Sequence, residues 1–384
     1  MTIGPADSAE NNNKRIALFI DSLAGGGAEK VVITLANAFS QLGHRAEIIC
    51  LQQRQEYAVP EHIPVHYLYP QRRVKLASPW SRAKHAKELT ALITKLQLND
   101  SAFDLFLANL DETNYIVSAC HFSPCYYIVH NAIMPTLARA KLMGPHKYLR
   151  QRRLFKALEQ RRIIAVSQAL AQEVEQQNLF TAESTSAIYN PFDLTAIRAA
   201  SEEKCSKLPS FPYILHIGRF AKQKRHDVLF SAIKRLSDTS LKLVCLVSNT
   251  AGLQRLVQRL GVADRVVVVE FQQNPYVWIK QAKCLVLSSD FEGFGNVLVE
   301  SLACGTPVVA TDCPYGPNEI LVGENRTFLV PPNDPEKLAQ AITRRLETPI
   351  NDNIQRLSAT FGHIQIAKQY LALLQSPPAP GSQD

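Results

Sequence analysis

Short apolar runs alternate along the chain with stretches whose apolar positions recur at helical spacing. Arg15–Ile20 reads as a strand entering a glycine-rich loop, Ala28–Leu42 as a helix that Gly43 stops, and Ala46–Leu51 as a second strand. These make one βαβ unit. Asp104–Ala108, Tyr126–Val129, Ile163–Val166 and Ser186–Ile188 supply further strands. Strands of this kind with helices between them predict a mostly parallel sheet covered on both faces. Ser201–Pro212 is polar, carries two prolines and reads as a linker. The alternation then restarts. Strands are predicted at Tyr213–Ile217, Leu241–Val247, Val266–Val269, Cys284–Leu287 and Val308–Ala310. Helices are predicted over Val228–Leu236, Leu253–Leu260, Val297–Ala303, Leu338–Leu346 and Ile364–Leu374. The pattern therefore predicts two doubly wound α/β domains, 1–200 and 213–360, joined by 201–212. Residues 361–384 add a helix and a frayed tail, SPPAPGSQD. In such sheets ligands sit beyond the carboxyl ends of the strands, so a ligand cleft is expected where the two domains face each other.

Composition narrows the class. With 384 residues, 46% apolar and 20% charged, the chain excludes a disordered, collagen-like or coiled-coil protein. No apolar run approaches the ~18 residues of a membrane span. The opening MTIGPADSAENNNKR lacks the order of a signal peptide, so a cytoplasmic protein is expected. Eight cysteines without a Cys-x-x-Cys pair read as reduced, mostly buried thiols, neither a disulfide framework nor a zinc site.

The net charge of +8 is concentrated. Residues 139–162 hold nine Lys/Arg and one Glu, again +8, which leaves the rest balanced. Such a segment suits phosphates, anionic lipid or nucleic acid, or is a solvated basic helix that binds nothing. Read as a helix over His146–Arg162, it places Tyr148, Leu154, Phe155 and Leu158 on one arc. Arg150, Arg152, Arg153 and Lys156 fall on the opposite side, facing outward.

Candidate chemistry lies in Ser288–Thr311, SSDFEGFGNVLVESLACGTPVVAT. A strand ends, and the loop Glu292-Gly293-Phe294-Gly295-Asn296 opens a helix whose free backbone N–H groups make an anion site. Gly293 and Gly295 allow close backbone approach to a ligand. Glu292 and Glu300 can face one cleft, where carboxylates accept hydrogen bonds from vicinal hydroxyls such as those of sugar and ribose. Arg219 and Lys224, in YILHIGRFAKQK, stand just beyond a strand, where two cations can hold a diphosphate. No Gly-x-x-x-x-Gly-Lys-Ser/Thr occurs, which excludes a P-loop.

Gly-Arg-x4-Lys at 218–224, Glu-x7-Glu at 292–300 and ACGTPVVATDCPYGPNEIL beyond them resemble, in order and spacing, the retaining GT-B glycosyltransferases of family 4. The likeness extends over most of 15–375, and the subgroup concerned builds bacterial lipopolysaccharide, capsule or lipid-linked glycans. It implies the GT-B fold, two Rossmann-like domains facing a central cleft, with the C-terminal helix returning to the N-terminal domain. It implies that Arg219 and Lys224 bind the donor diphosphate, Glu292 a donor-sugar hydroxyl, the backbone of Gly293–Asn296 the sugar and phosphate, and Glu300 the ribose. Phe271, Phe294 and the glycine-loop residues Gly26 and Gly27 complete the implied donor set. His130, in YIVHNAIMP, matches the family's donor-sugar histidine and joins Glu292, Lys224 and Arg219 as catalytic. A lone histidine after an apolar run is otherwise a satisfied core residue. Asn190 and Asp193, in YNPFD, match a family pattern but equally suit a turn, and stay outside the catalytic set. Two departures, Ser248–Gly252 (SNTAG) and Gln272-Gln273, fall where the family places glycines near the nucleotide.

The implied reaction moves a sugar from a nucleotide-diphosphate donor, commonly UDP-linked, to a hydroxyl of a lipid-linked or lipopolysaccharide acceptor. The transition state is oxocarbenium-like and configuration is retained. No cofactor and no metal are expected, since Asp-x-Asp is absent. The expected partners are the donor, the acceptor and an anionic membrane surface bound peripherally through Arg150, Arg152, Arg153 and Lys156. The rival readings are an NDP-sugar epimerase or a phosphorylase and, in another class, a basic nucleic-acid-binding protein. No nucleic-acid partner is expected, because only Tyr148 and Phe155 interleave the cations.

Overall fold

The computed structural model describes residues 13–24, 26–71, 73–349 and 354–375. Thirteen strands form among them: β1 Arg15–Ile20, β2 Arg45–Gln52, β3 Val65–Tyr69, β4 Leu105–Asn109, β5 Cys125–Val129, β6 Arg162–Ala165, β7 Ser184–Ala187, β8 Tyr213–Ile217, β9 Lys242–Val247, β10 Val266–Glu270, β11 Cys284–Leu287, β12 Val308–Thr311 and β13 Leu329–Val330. The first sheet runs β3-β2-β1-β4-β5-β6-β7 and the second β10-β9-β8-β11-β12-β13. Both are doubly wound, and in each the order reverses beside the sheet's first strand, between β1 and β4 and between β8 and β11. Pairing is parallel, with Ile16 level with Ala46 and Leu105, and Leu215 level with Val244 and Leu285. Apart from β3 and β13, for which no strand is expected, the two Rossmann-like sheets are built of the strands the apolar runs predict, and the architecture is the GT-B fold.

Burial on both faces explains why the strands read as continuous apolar runs. All six residues of β1 are buried, as are all of β4, β5, β11 and β12. In the second sheet Ile214, Leu243, Cys245 and Val286 pack with Leu229, Phe230, Leu253 and Leu338 from the covering helices. The cysteines are free thiols, and all but Cys205 are buried.

By packing, the described residues up to Tyr127 and those from Tyr370 to Gln375 form one compact unit, and those within Ile128–Gln369 the other. In the first unit the end of the helix His363–Ala372 packs Tyr370 edge-on to Phe39. Just beyond it, the Leu373 carbonyl accepts from Tyr126 Oη at 3.3 Å. The tail 376–384, expected to be frayed, lies outside the described residues.

One element differs from expectation. The basic helix spans Pro145–Lys156 and stops six residues before Arg162, which opens β6. Ala157–Gln160 turn, with Gln160 at φ 53. Leu154, Phe155 and Leu158 are buried as the arc requires, whereas Tyr148 is half-buried. The four cations do not all face outward. Lys156 is exposed, but Arg150, Arg152 and Arg153 are half-buried, and the preceding helix Ile133–Leu142 packs against this one.

Candidate active site

In the second sheet the two strands at the reversal point deliver the site. Beyond β8 the chain passes Gly218 and exposed Arg219 into a short turn, Lys222–Lys224. Beyond β11 it forms Ser288–Glu292. The two segments are laced together. Asp290 N donates to the Gln223 carbonyl at 2.9 Å, Gln223 Nε2 to the Phe291 carbonyl at 2.6 Å, and Ser288 Oγ to the Lys224 carbonyl at 2.8 Å. The lacing brings Lys224 Nζ to 2.7 Å from Glu292 Oε1, with the side chains 15% and 10% exposed. Ser289 Oγ also donates to Glu292. The lysine and glutamate picked from separate motifs are thus one ion pair, open enough for a ligand to divide.

Glu292 leads into the loop. Gly293 is buried, and a Cβ added there would lie 1.8 Å from the His130 carbonyl oxygen, so only glycine fits. Phe294 is buried against Tyr189, Phe192 and Phe361. It therefore anchors the loop by packing. Gly295, at φ 97, caps the helix Asn296–Ala303. Asn296 Oδ1 accepts from Asn190 Nδ2 at 2.7 Å, and Glu300, one turn along, accepts from Tyr276 Oη at 3.4 Å.

His130 follows β5 and is half-buried, with desolvation pushing its imidazole down to about 4. It is a neutral ring at neutral pH and can exchange hydrogen bonds with a sugar hydroxyl. Beneath Lys224 lie two more histidines. His216 donates from Nδ1 to the Val286 carbonyl at 2.9 Å, and His226 sits 4.8 Å away, ring centre to ring centre. Burial lowers them to about 4 and about 3, which keeps two added positive charges away from Lys224.

Phe271 is exposed just past β10, followed by Gln272, whose side chain donates to the Glu270 carbonyl. In SNTAG, Asn249 caps the helix Thr250–Arg259 by accepting from Gly252 N at 3.0 Å. The departing segment is therefore a regular helix start that offers backbone N–H groups without the glycines. In the first unit, Gly26 and Gly27 open the helix Gly27–Gln41 beyond β1, while Gly25 lies outside the described residues. Beside them Asp21 accepts from Thr113 N at 2.8 Å, and burial raises its carboxyl to about 7.

Sequence reasoning missed two participants, Arg225 and Ser167, and left a third, Asn190, outside the catalytic set. Asn190 is buried and touches Asn296, whereas Asp193 caps the helix Leu194–Ser201 and lies 3.7 Å from His363 Nε2. Arg225, at φ 47, pairs with Asp290 at 3.0 Å and Asp227 at 2.8 Å, fixing the turn that aims Lys224. Ser167 Oγ donates to the Gly293 carbonyl at 3.0 Å. Asn190 lies in a motif the sequence displays, but the other two touch partners far away in sequence. Among the described residues, no cluster of three metal-ligating side chains forms.

Residues 25–196 match the family model for Glycosyltransferase Family 4, and residues 211–348 that for Glycosyl transferases group 1. The chain is similar, 26% identical over 380 residues, to N-acetylgalactosamine-N,N'-diacetylbacillosaminyl-diphospho-undecaprenol 4-alpha-N-acetylgalactosaminyltransferase of Campylobacter jejuni. That match spans 94% of this chain and 99% of the relative. It is also 26% identical over 214 residues to the lipopolysaccharide 1,6-galactosyltransferase of Escherichia coli K12, spanning 54% of this chain and 58% of the relative. In structure it resembles Anabaena HepE in complex with UDP and glucose, with a TM-score of 0.70, 22% identity, and 95% of this chain and 100% of the other covered.

Proposed function

We infer, because this chain belongs to the GT-B glycosyltransferases and joins a family 4 half to a group 1 half, that it moves a sugar from a nucleotide-diphosphate donor, UDP-linked, to a hydroxyl of a lipid-linked or lipopolysaccharide glycan, with retention of configuration. The observation that carries this reading is the Lys224–Glu292 pair at the strand-order reversal, next to the helix start at Gly295–Asn296. One member is a cation for phosphate and the other a carboxylate for sugar hydroxyls. The relatives' acceptors, a diphospho-undecaprenol-linked glycan and lipopolysaccharide, support the acceptor class.

In the proposed reaction the acceptor oxygen bonds to the anomeric carbon on the face from which the diphosphate departs. The bond from that carbon to the leaving phosphate oxygen breaks, and the acceptor proton passes to that oxygen. Charge builds on the departing diphosphate, and Arg219, Lys224 and the N–H groups opening the helix Asn296–Ala303 stabilise it in place of a metal. Glu292 and His130 hold sugar hydroxyls, and Glu300 holds the ribose. An epimerase would need no glycan acceptor and a phosphorylase would use phosphate in place of the nucleotide, so product formed from a nucleotide-sugar only when acceptor is added separates these readings.

We further propose that the segment from Arg139 to Lys156 docks on an anionic membrane. Exposed Lys141, His146, Lys147 and Lys156 support this, standing with exposed Leu142, Met143 and Leu149 at the corner between two helices. Among the described residues no helix is long and apolar enough to cross a membrane. A donor screen by calorimetry, followed by mass analysis of product on lipid-diphosphate-linked acceptors with and without EDTA, tests donor, acceptor and metal independence together.

A further inference from the structure

We propose that Glu319 and Glu173 are positioning residues that hold His130 in register with the Gly293–Asn296 loop through a closed chain of contacts. The inference rests on the reading that places His130 and that loop at the donor.

The chain starts at the loop. Gly316, at φ 110, packs so closely on Phe294 that a Cβ there would lie 1.9 Å from the Phe294 carbonyl oxygen. Three residues on, both carboxylate oxygens of Glu319 are engaged. Oε2 accepts from Gln168 N at 2.8 Å and Oε1 from Ala169 N at 3.0 Å, the first two residues of the helix Gln168–Gln176. The Tyr189 hydroxyl bonds the same carboxylate. Further along that helix, Glu173 is buried and repeats the arrangement. Its oxygens accept from Ile133 N and Met134 N, each at 2.9 Å, which open the helix Ile133–Leu142 three residues after His130. The Tyr315 hydroxyl, next to Gly316, bonds Glu173. The ring closes where Gly293 lies against the His130 carbonyl.

Ordinary capping does not account for Glu319. Ser167 already caps the helix Gln168–Gln176, accepting from Leu170 N at 3.3 Å. Glu319 arrives from 151 residues away in sequence and takes the two remaining free N–H groups. A carboxylate over a helix start is favoured by the dipole, and two-point contact fixes direction as well as distance. The short helix between the two carboxylates acts as a rigid rod, so displacement of the 316–319 turn is carried to His130.

Hydrogen exchange on the intact protein without ligand, read by mass spectrometry, tests this in wild type, Glu319→Gln and Glu173→Gln. Glutamine keeps the volume but sets an amide N–H₂ against one backbone N–H. The proposal expects Glu319→Gln to speed exchange at Gln168–Ala169, at Ile133–Met134 and at 293–296, although Glu319 bonds neither of the latter two. Faster exchange confined to Gln168–Ala169 overturns it. With donor and acceptor, kcat should fall at least tenfold while donor affinity stays within about threefold, and the double variant should lose less than the product of the single losses. Equal losses in kcat and in donor affinity would also overturn it. If Glu319→Gln does not fold, Tyr189→Phe removes one bond to the same carboxylate and must show the same three-site pattern. The exchange pattern is independent of turnover, so an inactive wild type would count against the glycosyl-transfer reading and leave this one standing or falling by itself.

Discussion

Replacing Lys224 by methionine should separate what the Lys224–Glu292 pair does for folding from what it does for reaction. At 2.7 Å and an effective dielectric of about 20, the attraction is about 6 kcal/mol, most of it offset by the desolvation of two side chains that are 15% and 10% exposed. Removing Lys224 leaves a nearly buried carboxylate that still accepts from Ser289 Oγ, and should destabilise by about 3 kcal/mol. Removing both charges with Lys224→Met/Glu292→Gln leaves no orphan charge, so most of that loss should return. Turnover should not return. On the proposed reading Lys224 stabilises the leaving diphosphate and Glu292 holds the sugar, so each single variant should lose about 10²-fold or more in kcat and the double variant should lose at least as much. Urea unfolding gives the stabilities, and single-turnover product formation gives the rates. A double variant that regains both stability and turnover would refute the reasoning, since the pair would then be structural only.

Three further outcomes follow from the geometry. Gly293→Ala should cut turnover by about 10²-fold and lower Tm, because its Cβ would fall 1.8 Å from the His130 carbonyl oxygen; wild-type kinetics would contradict that close approach. Stability should fall on acidification. Burial holds His130 and His216 at about 4 and His226 at about 3, so their contribution is full above pH 6.5 and lost as pH drops below it, while Asp21, raised to about 7 by burial, opposes with a contribution lost as pH rises through 7. Three groups against one leave the unfolded chain about two protons richer near pH 5, or about 2.7 kcal/mol per pH unit, and a urea midpoint that does not drop between pH 7.5 and 5 would refute the assignment. The protein should float with anionic vesicles at low salt and release at high salt. Gln in place of Lys141, Lys147 and Lys156, each worth about 1 kcal/mol at an anionic surface, should abolish flotation without changing donor affinity, and equal flotation would place the contact elsewhere.

Strands buried on both faces were legible because nothing in them alternates; β1, β8 and β11 lie where their apolar runs lie. The edge strand β3, Val-His-Tyr-Leu-Tyr, is mostly half-buried and carries no such run. The helix Arg82–Leu98 also escaped detection. Its outward positions include Ala83, Thr90, Ala91 and Thr94, so its apolar stripe does not stand out. At the site, Lys224, Glu292 and the glycines were legible because each occupies a strand end or helix start within a local motif. Arg225, Ser167, Glu173 and Glu319 were not, because their roles depend on partners brought close only by folding; Ser167 and Gly293 are 126 residues apart. The basic segment shows the limit of a helical wheel. It separated the apolar from the cationic side correctly around Leu154 and Phe155. It could not foresee that Arg150, Arg152 and Arg153, on the cationic side, are half-buried in the fold.

The central claim, sugar transfer from a nucleotide donor with retention, is tested most directly by the anomeric configuration of the new linkage. The protein is incubated with an α-configured UDP-sugar and a lipid-diphosphate-linked glycan in the presence of EDTA, and the product's anomeric coupling is read by NMR. The account predicts a product heavier by one sugar, joined through an α linkage, with release of UDP. A β linkage would contradict the same-face mechanism, and release of UDP with no sugar gained by any glycan acceptor would contradict the transferase reading itself.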